Sequence, residues 1–195
     1  GTDEQGIVVN GMSNYSQHSP WSNSALVVSV KSGEDFMNGD LLAGLKYQKS
    51  IEKKAYFLSS KYASGKEVPA QTIKQFLSKK SAQVKDIKNS CPSGIFSMNL
   101  DELLPEVISE QLKVGLENFN QKIPGFSDGD GLLMGPETRT SAPVTVLRDK
   151  GSLQSVTHQG LYPCGEGAGY AGGITSAAID GIKVAERIVQ ANKST

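Results

Sequence analysis

A glycine-rich segment that carries a single acidic residue, at positions 165–173, has the residue types best suited to contact with a ligand. Its five glycines stand at positions 165, 167, 169, 172 and 173. Glycine has no Cβ and adopts positive φ readily, so such a backbone can lie directly against a bound molecule. The carboxylate of Glu166, among these glycines, is a good acceptor for a ribose or ribityl hydroxyl. The segment therefore predicts a site that touches a cofactor.

Residues 174–190 follow the glycines with helical periodicity, and we expect this helix to aim its N-terminus at the same ligand. The first amides of a helix lack intrahelical acceptors, and that end carries about half a unit of positive charge, which suits a pyrophosphate or a flavin oxygen edge. The predicted buried face consists of Ile174, Ala178, Ile182, Ala185 and Val189. The alternative for the whole segment is a tight strand-to-helix turn without a ligand.

Composition argues against several other classes of protein. Lys and Arg total 20, Asp and Glu total 20, and no basic stripe is present, so nucleic-acid binding is not expected. No apolar run approaches the ~20 residues that span a bilayer, and nothing resembles a signal peptide. The cysteines, Cys91 and Cys164, are far apart and are expected to be free thiols. These features predict a cytoplasmic protein with no membrane partner.

Other polar residues offer weaker indications of chemistry. His18 and His158 have no visible acid or base partner, and neither is assigned a catalytic role. The Asp128-Gly-Asp130 loop is expected to be a plain turn, because too few oxygen ligands follow it to bind calcium, and no metal is predicted. A polar loop follows the first apolar run, and some of its residues either line a substrate or only stabilise the loop: Asn10, Ser13, Trp21, Asn23 and Ser24.

The elements that position these residues are predicted from periodicity. Strands are expected at 7–10, 25–30, 132–134, 143–147, 154–158 and before the glycine-rich turn at 161–164. Helices are expected after Asp40 as N-cap, from Pro69 to Leu77, for one turn after Asn99, from Pro105 to just before Ile123, and at 174–190. The fold class is therefore mixed α/β, with a mostly helical block at 34–125 between two discontinuous β-containing pieces, 1–33 and 126–195.

Five blocks of the chain, in order, resemble one known family. The run Leu-Tyr-Pro-Cys-Gly-Glu-Gly-Ala-Gly-Tyr-Ala-Gly-Gly-Ile-Thr-Ser-Ala-Ala-Ile-Asp-Gly at 161–181 is similar to the C-terminal flavin-binding segment of the uncharacterised FAD-dependent dehydrogenases, bacterial flavoproteins of the two-dinucleotide-binding type. The other blocks are 9–14, 21–26, 122–126 and 135–144. Nearly the whole chain is covered, and the combination is specific although no single block is.

The resemblance implies FAD held mainly by an N-terminal Rossmann half whose GxGxxG turn binds the pyrophosphate. That half is not in this sequence: the glycines at 167, 169 and 172 fit the spacing literally but lie in the closing segment. The chain is thus expected to be the C-terminal portion of a Rossmann-type oxidoreductase, inactive alone and a poor binder of FAD. Its implied partners are the missing Rossmann half and an unknown small-molecule substrate.

The same resemblance implies individual roles. Gly165 and Glu166 would face the ribityl and pyrophosphate region of FAD. Gly172 leads into the helix, and the amides of Gly173 and Ile174 would face the oxygen edge of the isoalloxazine ring.

Glu137 and Arg139 are the residues that the resemblance places near the flavin as candidate catalytic groups. Arg139 would orient an anionic substrate or stabilise reduced flavin by its fixed charge. An ordinary surface ion pair is the alternative for this arginine. For the whole chain, the alternative is a non-catalytic nucleotide- or anion-binding module whose helical block docks a partner.

Overall fold

The computed structural model describes residues 2–3, 5–31, 33–34, 39–128 and 131–193. In these residues it contains five helices, a three-stranded sheet and a two-stranded hairpin, which confirms the mixed α/β fold class. The chain forms two compact units, one of Gly1–Lys31 with Tyr47–Thr138 and one of Ser32–Lys46 with Arg139–Thr195. The boundaries predicted at 34 and 126 separate a mostly helical block from β-containing pieces, whereas these units are defined by compactness. The predicted boundaries therefore stay a prediction.

The three-stranded sheet of the first unit is built around β3 (Val68–Thr72), with β4 (Ile95–Ser97) parallel on one side and β5 (Leu132–Met134) antiparallel on the other. β1 (Thr2–Asp3) and β2 (Gly6–Ile7) form the hairpin. Every residue of β3 is buried, as in a strand covered on both faces. The buried core of this unit consists of Ile7, Ala55, Val68, Ile73, Phe76, Leu100, Leu103 and Leu116.

The predicted helix start at Pro69 is wrong. Pro69 lies in β3, where its carbonyl accepts a hydrogen bond from the Gly135 amide at 3.2 Å. The helix begins later because Thr72 is a better N-cap: its hydroxyl accepts from the Gln75 amide, and the Gln75 side chain accepts from the Thr72 amide.

The helices are α1 (Ala43–Tyr62), α2 (Ile73–Leu77), α3 (Leu100–Leu103), α4 (Glu106–Lys122) and α5 (Ile174–Lys193). Asp40, expected as N-cap, accepts the Leu42 amide at 2.9 Å but lies three residues before α1 begins. Pro105, expected as the first helical residue, is the N-cap of α4. Asn99 precedes α3 without capping it, since its side-chain oxygen instead accepts the Ala82 amide at 2.8 Å. No helix among the described residues is both long and apolar enough to cross a bilayer.

Several predicted strands are absent from the described residues. Residues 8–10, 25–30, 143–147 and 161–164 have irregular backbone, and 154–158 contributes only a single bridge between Ser155 and Arg148. A strand exists only where a neighbour accepts and donates its backbone hydrogen bonds. These runs have strand composition but no strand ladder with any described residue, although single backbone hydrogen bonds such as that from Val9 to Pro136 occur.

The predicted buried face of α5 is also wrong. Val184 is buried, and the partly buried residues beside it are Ala177, Asp180, Gly181 and Ile188. Ile174 and Ile182, expected inside, are 93% and 59% exposed. Asp180 is the polar residue on this otherwise small and apolar side, and its ion pair with Arg148 holds it inward.

Candidate cofactor site

The glycine-rich segment forms a closed turn in the second unit. The Gly169 amide donates to the Glu166 carbonyl at 2.9 Å, and the Tyr170 amide donates to the Gly165 carbonyl at 3.0 Å. Gly165 and Gly169 have φ of 72° and 83°, in the region that side chains of L-residues rarely adopt. Two of the five glycines are therefore required by the backbone itself.

Gly169 also permits a close approach within the unit. A Cβ at this position would lie 2.7 Å from both the Thr145 hydroxyl and the Val144 carbonyl oxygen. The neighbouring Val146 amide donates to the Ala168 carbonyl at 3.1 Å. Residues 144–146 thus lie directly against the turn and support it.

Gly167 and Gly172 have no such explanation inside the chain. A Cβ at either position would meet no heavy atom of the described residues within 4 Å, and neither glycine has positive φ. At Gly173 a Cβ would meet only the Ser176 hydroxyl, at 3.7 Å. An open backbone of this kind leaves room for a bound group to lie against it, a property shared by glycines elsewhere such as Gly115.

The N-terminus of α5 adds hydrogen-bond donors beside these glycines. Among the described residues, the amides of Gly173, Ile174 and Thr175 have no acceptor, while the Ala177 amide closes the first turn on the Gly173 carbonyl at 2.9 Å. Ile174 and Thr175 are exposed and Gly173 is partly buried. Unpaired amides at a helix N-terminus attract anionic or oxygen-rich groups.

Glu166 lies in the turn and is partly buried. Its carboxylate makes no hydrogen bond or ion pair with the part of the chain that the structure describes. This leaves the carboxylate oxygens available as acceptors.

An ion pair between Arg148 and Asp180 holds the start of the turn against α5. The guanidinium binds both carboxylate oxygens, at 2.7 and 2.9 Å, and the two side chains are only 10% and 13% exposed. The same guanidinium donates to the Pro163 carbonyl at 2.8 Å, and the carboxylate accepts the Gly165 amide at 2.9 Å. Bidentate contacts of this type are the stronger class of charged hydrogen bond.

The Tyr170 side chain completes this network. Its ring centre lies 3.7 Å from the Arg148 guanidinium carbon, within the range of a cation–π contact. Its hydroxyl accepts the Arg148 amide and donates to the Val146 carbonyl, both at 3.1 Å. The hydrogen bonds from Arg148 lower the pKa of Asp180; burial opposes them, and the Gly165 amide adds to the lowering.

Arg148 and Asp180 are not predicted as site residues from the sequence. They are 32 residues apart, and no local motif joins them. The one available signal was a carboxylate placed between small residues, Ala177 and Gly181, on a helix. The Gly165 amide, expected near the cofactor, is engaged by Asp180 instead, although a role for this residue at a ligand stays a prediction.

The candidate catalytic pair Glu137 and Arg139 flanks Thr138, which α1 holds. The Thr138 hydroxyl donates to Glu52 at 2.5 Å, and the Gln48 side chain donates to the Thr138 carbonyl at 2.6 Å. Glu137 is partly buried and Arg139 is exposed. Their roles near a flavin stay predictions.

The 9–14 and 135–144 blocks meet in the first unit. The Val9 amide donates to the Pro136 carbonyl at 2.9 Å. Asn10 and Glu137 are the next residues along the chain after Val9 and Pro136. The structure thus brings a block with candidate substrate-lining residues into contact with the block that carries the candidate flavin-side residues; the roles themselves stay predictions.

The loop after Asn10 supports the structural alternative for one of its residues. The Asn23 side chain donates to the Met12 carbonyl at 3.2 Å, and a Cβ at Gly11 would lie 2.4 Å from the Asn23 oxygen. Asn23 therefore stabilises the loop, whatever else it contacts. Substrate roles for the other loop residues, Ser13, Trp21 and Ser24 among them, stay predictions.

Both cysteines are free, as expected. Cys164 is exposed and lies in irregular backbone at the end of the run predicted as a strand at 161–164. No group of three His, Cys, Asp or Glu residues within the described ranges could hold a metal ion. Residues 129 and 130 of the predicted plain turn lie outside those ranges.

Comparison with known proteins assigns the chain to a family. Residues 1–140 match the family described as FAD-dependent protein, C-terminal domain-like. The chain belongs to this family. It is also similar to an uncharacterized protein of Clostridium beijerinckii, with 43% identity over 190 residues, 97% of this chain and 35% of the relative.

The two matches differ in extent. The family match ends before the glycine-rich turn and α5, whereas the match to the clostridial protein covers 97% of the chain and therefore extends across both. The chain spans about a third of the length of that relative, at 35%.

Proposed function

We propose that this chain is the C-terminal portion of an FAD-dependent dehydrogenase, here called the parent, and that its glycine-rich turn and α5 N-terminus close the flavin site. A Rossmann half, outside these 195 residues, would hold most of the cofactor. Family membership supports a flavoprotein. The observation that carries the proposal is the open backbone at Gly167 and Gly172 beside unpaired helix amides.

Bound FAD would supply the hydride transfer, so the protein need only bind, orient and tune it. The Glu166 carboxylate would accept hydrogen bonds from ribityl hydroxyls. The amides of Gly173 and Ile174 would donate to the ring oxygen edge and favour negative charge there. Arg139 and Glu137 would orient a small-molecule substrate. Free cysteines are consistent with the cytoplasmic location that we also propose.

The absorption spectrum of the purified parent tests this proposal. The parent should purify with a flavin absorption spectrum, or acquire one when FAD is added. Parent protein that stays colourless with added FAD would contradict the proposal and leave the non-catalytic nucleotide- or anion-binding module.

Gly172→Ala separates ligand contact from folding. Because a Cβ there meets no described residue within 4 Å, we expect unchanged stability but weaker FAD retention by the parent. Gly115→Ala is the matched control, since a Cβ on this α4 glycine also meets nothing within 4 Å. Equal FAD retention by both variants would remove Gly172 from the proposed site.

A further inference from the structure

We propose that Arg148 and Asp180 are positioning residues that fix Glu166 relative to the N-terminal amides of α5, so that both reach the flavin in one preformed arrangement. The proposal rests on the proposed function. It concerns two residues that touch no cofactor atom in their assigned role and act through the backbone of the turn.

The pair holds the backbone immediately before Glu166. Arg148 binds the Pro163 carbonyl and Asp180 binds the Gly165 amide, so both sides of Cys164 are fixed. Because the two charged side chains are nearly buried, water competes little for these hydrogen bonds. The direction in which the chain enters Glu166 is therefore set by the ion pair.

The pair also ties the turn to one helix. Asp180 is six residues after Ile174, the first residue of α5, a distance of roughly 9 Å along a helix that rises ~1.5 Å per residue. Since a helix is rigid over two turns, an anchor at Asp180 fixes the turn relative to the amides of Gly173 and Ile174. Tyr170, bound to Arg148 at the far end of the turn, prevents rotation about this anchor.

A preformed arrangement should raise the affinity of the parent for FAD. A site that is already ordered loses less conformational freedom when its ligand binds. The arrangement also assigns the Gly165 amide to Asp180, so the contribution of Gly165 to the site is its positive φ.

The test measures FAD binding by the parent with Asp180→Asn and Arg148→Lys. We expect both variants to bind FAD about tenfold or more weakly, by analogy with the loss caused by removing residues that orient the ligands of a metal. We also expect a shift of the visible flavin bands, which a change in stability alone would not produce. Arg148→Lys keeps the charge but loses the bidentate geometry, and it carries the test if Asp180→Asn does not fold.

The matched control is Asp101→Asn, which breaks another ion pair in the first unit. Asp101 lies 2.7 Å from Lys113, whose side chain is 9% exposed. This variant should lose stability but keep wild-type FAD affinity and spectrum. Equal losses of FAD affinity in the control and the two variants would overturn the positioning role.

Hydrogen exchange of the 161–170 peptide in the same parent proteins gives an independent readout. Asp180→Asn should accelerate exchange there, because asparagine keeps one acceptor oxygen for the three donors that Asp180 binds, and the Gly165 amide must then compete with Arg148 for it. Faster exchange with unchanged FAD affinity and spectrum would overturn the positioning proposal and leave the proposed function standing. A wild-type parent that does not bind FAD would overturn both.

Discussion

The hydroxyl of Thr138 donates a hydrogen bond to the carboxylate of Glu52, with 2.5 Å between the two oxygens. Glu52 is 3% exposed and lies on α1, one turn after Gln48, which binds the Thr138 carbonyl. The hydroxyl and the carbonyl of Thr138 are thus both bound by side chains of one helix. α1 therefore sets the backbone between the two residues proposed to orient the substrate.

Thr138→Val should destabilise the protein by about 1–3 kcal/mol, because a hydrogen bond to a buried charged group is lost without a change in shape. Chemical denaturation measures the change. Thr140→Val is the matched control: Thr140 is exposed, so its replacement should stay within about 0.5 kcal/mol. Equal losses would show that the Glu52 contact contributes nothing specific.

Val184→Ala should destabilise this chain by about 1–2.5 kcal/mol, since Val184 is 5% exposed and its removal leaves a small cavity. Ile182→Ala should change stability by less than about 0.5 kcal/mol, because Ile182 is largely exposed. Thermal unfolding of the two variants compares the faces of α5 directly. A larger loss of stability for Ile182→Ala would show that the face predicted from periodicity is the buried one.

Gly169→Ala should destabilise the chain by about 1–3 kcal/mol. The new Cβ would clash with Val144 and Thr145, and φ of 83° strains any residue other than glycine. Gly167→Ala, two residues earlier and with open space around it, should be near neutral in the same denaturation experiment. A neutral Gly169→Ala would mean that residues 144–146 do not lie against the turn.

Low pH should reduce the contribution that Glu67 makes to the stability of the folded chain. The Ser64 amide and then the Ser64 hydroxyl lower the pKa of the Glu67 carboxyl from 4.5 to about 2. Because the folded pKa is depressed, the stabilisation is complete above pH 4.5 and is lost as the pH falls towards about 2. Wild-type protein should therefore lose more stability than Glu67→Gln over that range.

Melting temperatures recorded against pH measure this difference. The melting temperatures of the two proteins should change in parallel above pH 4.5, which is the ordinary pKa of a glutamate side chain. Ser64→Ala, which removes the hydroxyl donor, should raise the pKa of Glu67 in a carboxyl NMR titration. Parallel curves at all pH values would show that the Ser64 contacts do not form in solution.

Helices were predicted from the sequence far better than strands. α5 begins at Ile174 as expected, and α4 follows Pro105 as expected, because a helix closes its hydrogen bonds within a few residues. The run at 25–30 has the composition of a strand but needs a distant partner to become one. Pro69 shows the converse, since its neighbours 95–97 and 132–134 decide that it lies in a strand.

The mixed α/β class, the main helices and the glycine-rich turn before α5 follow from the amino-acid sequence, because propensity, capping and glycine content are local properties. Which glycines serve the fold and which stay open to a ligand depends on the packing of distant segments. Only the tertiary structure pairs Arg148 with Asp180, and it also decides which side of α5 is buried. These outcomes depend on contacts between residues distant in sequence, which no local pattern encodes.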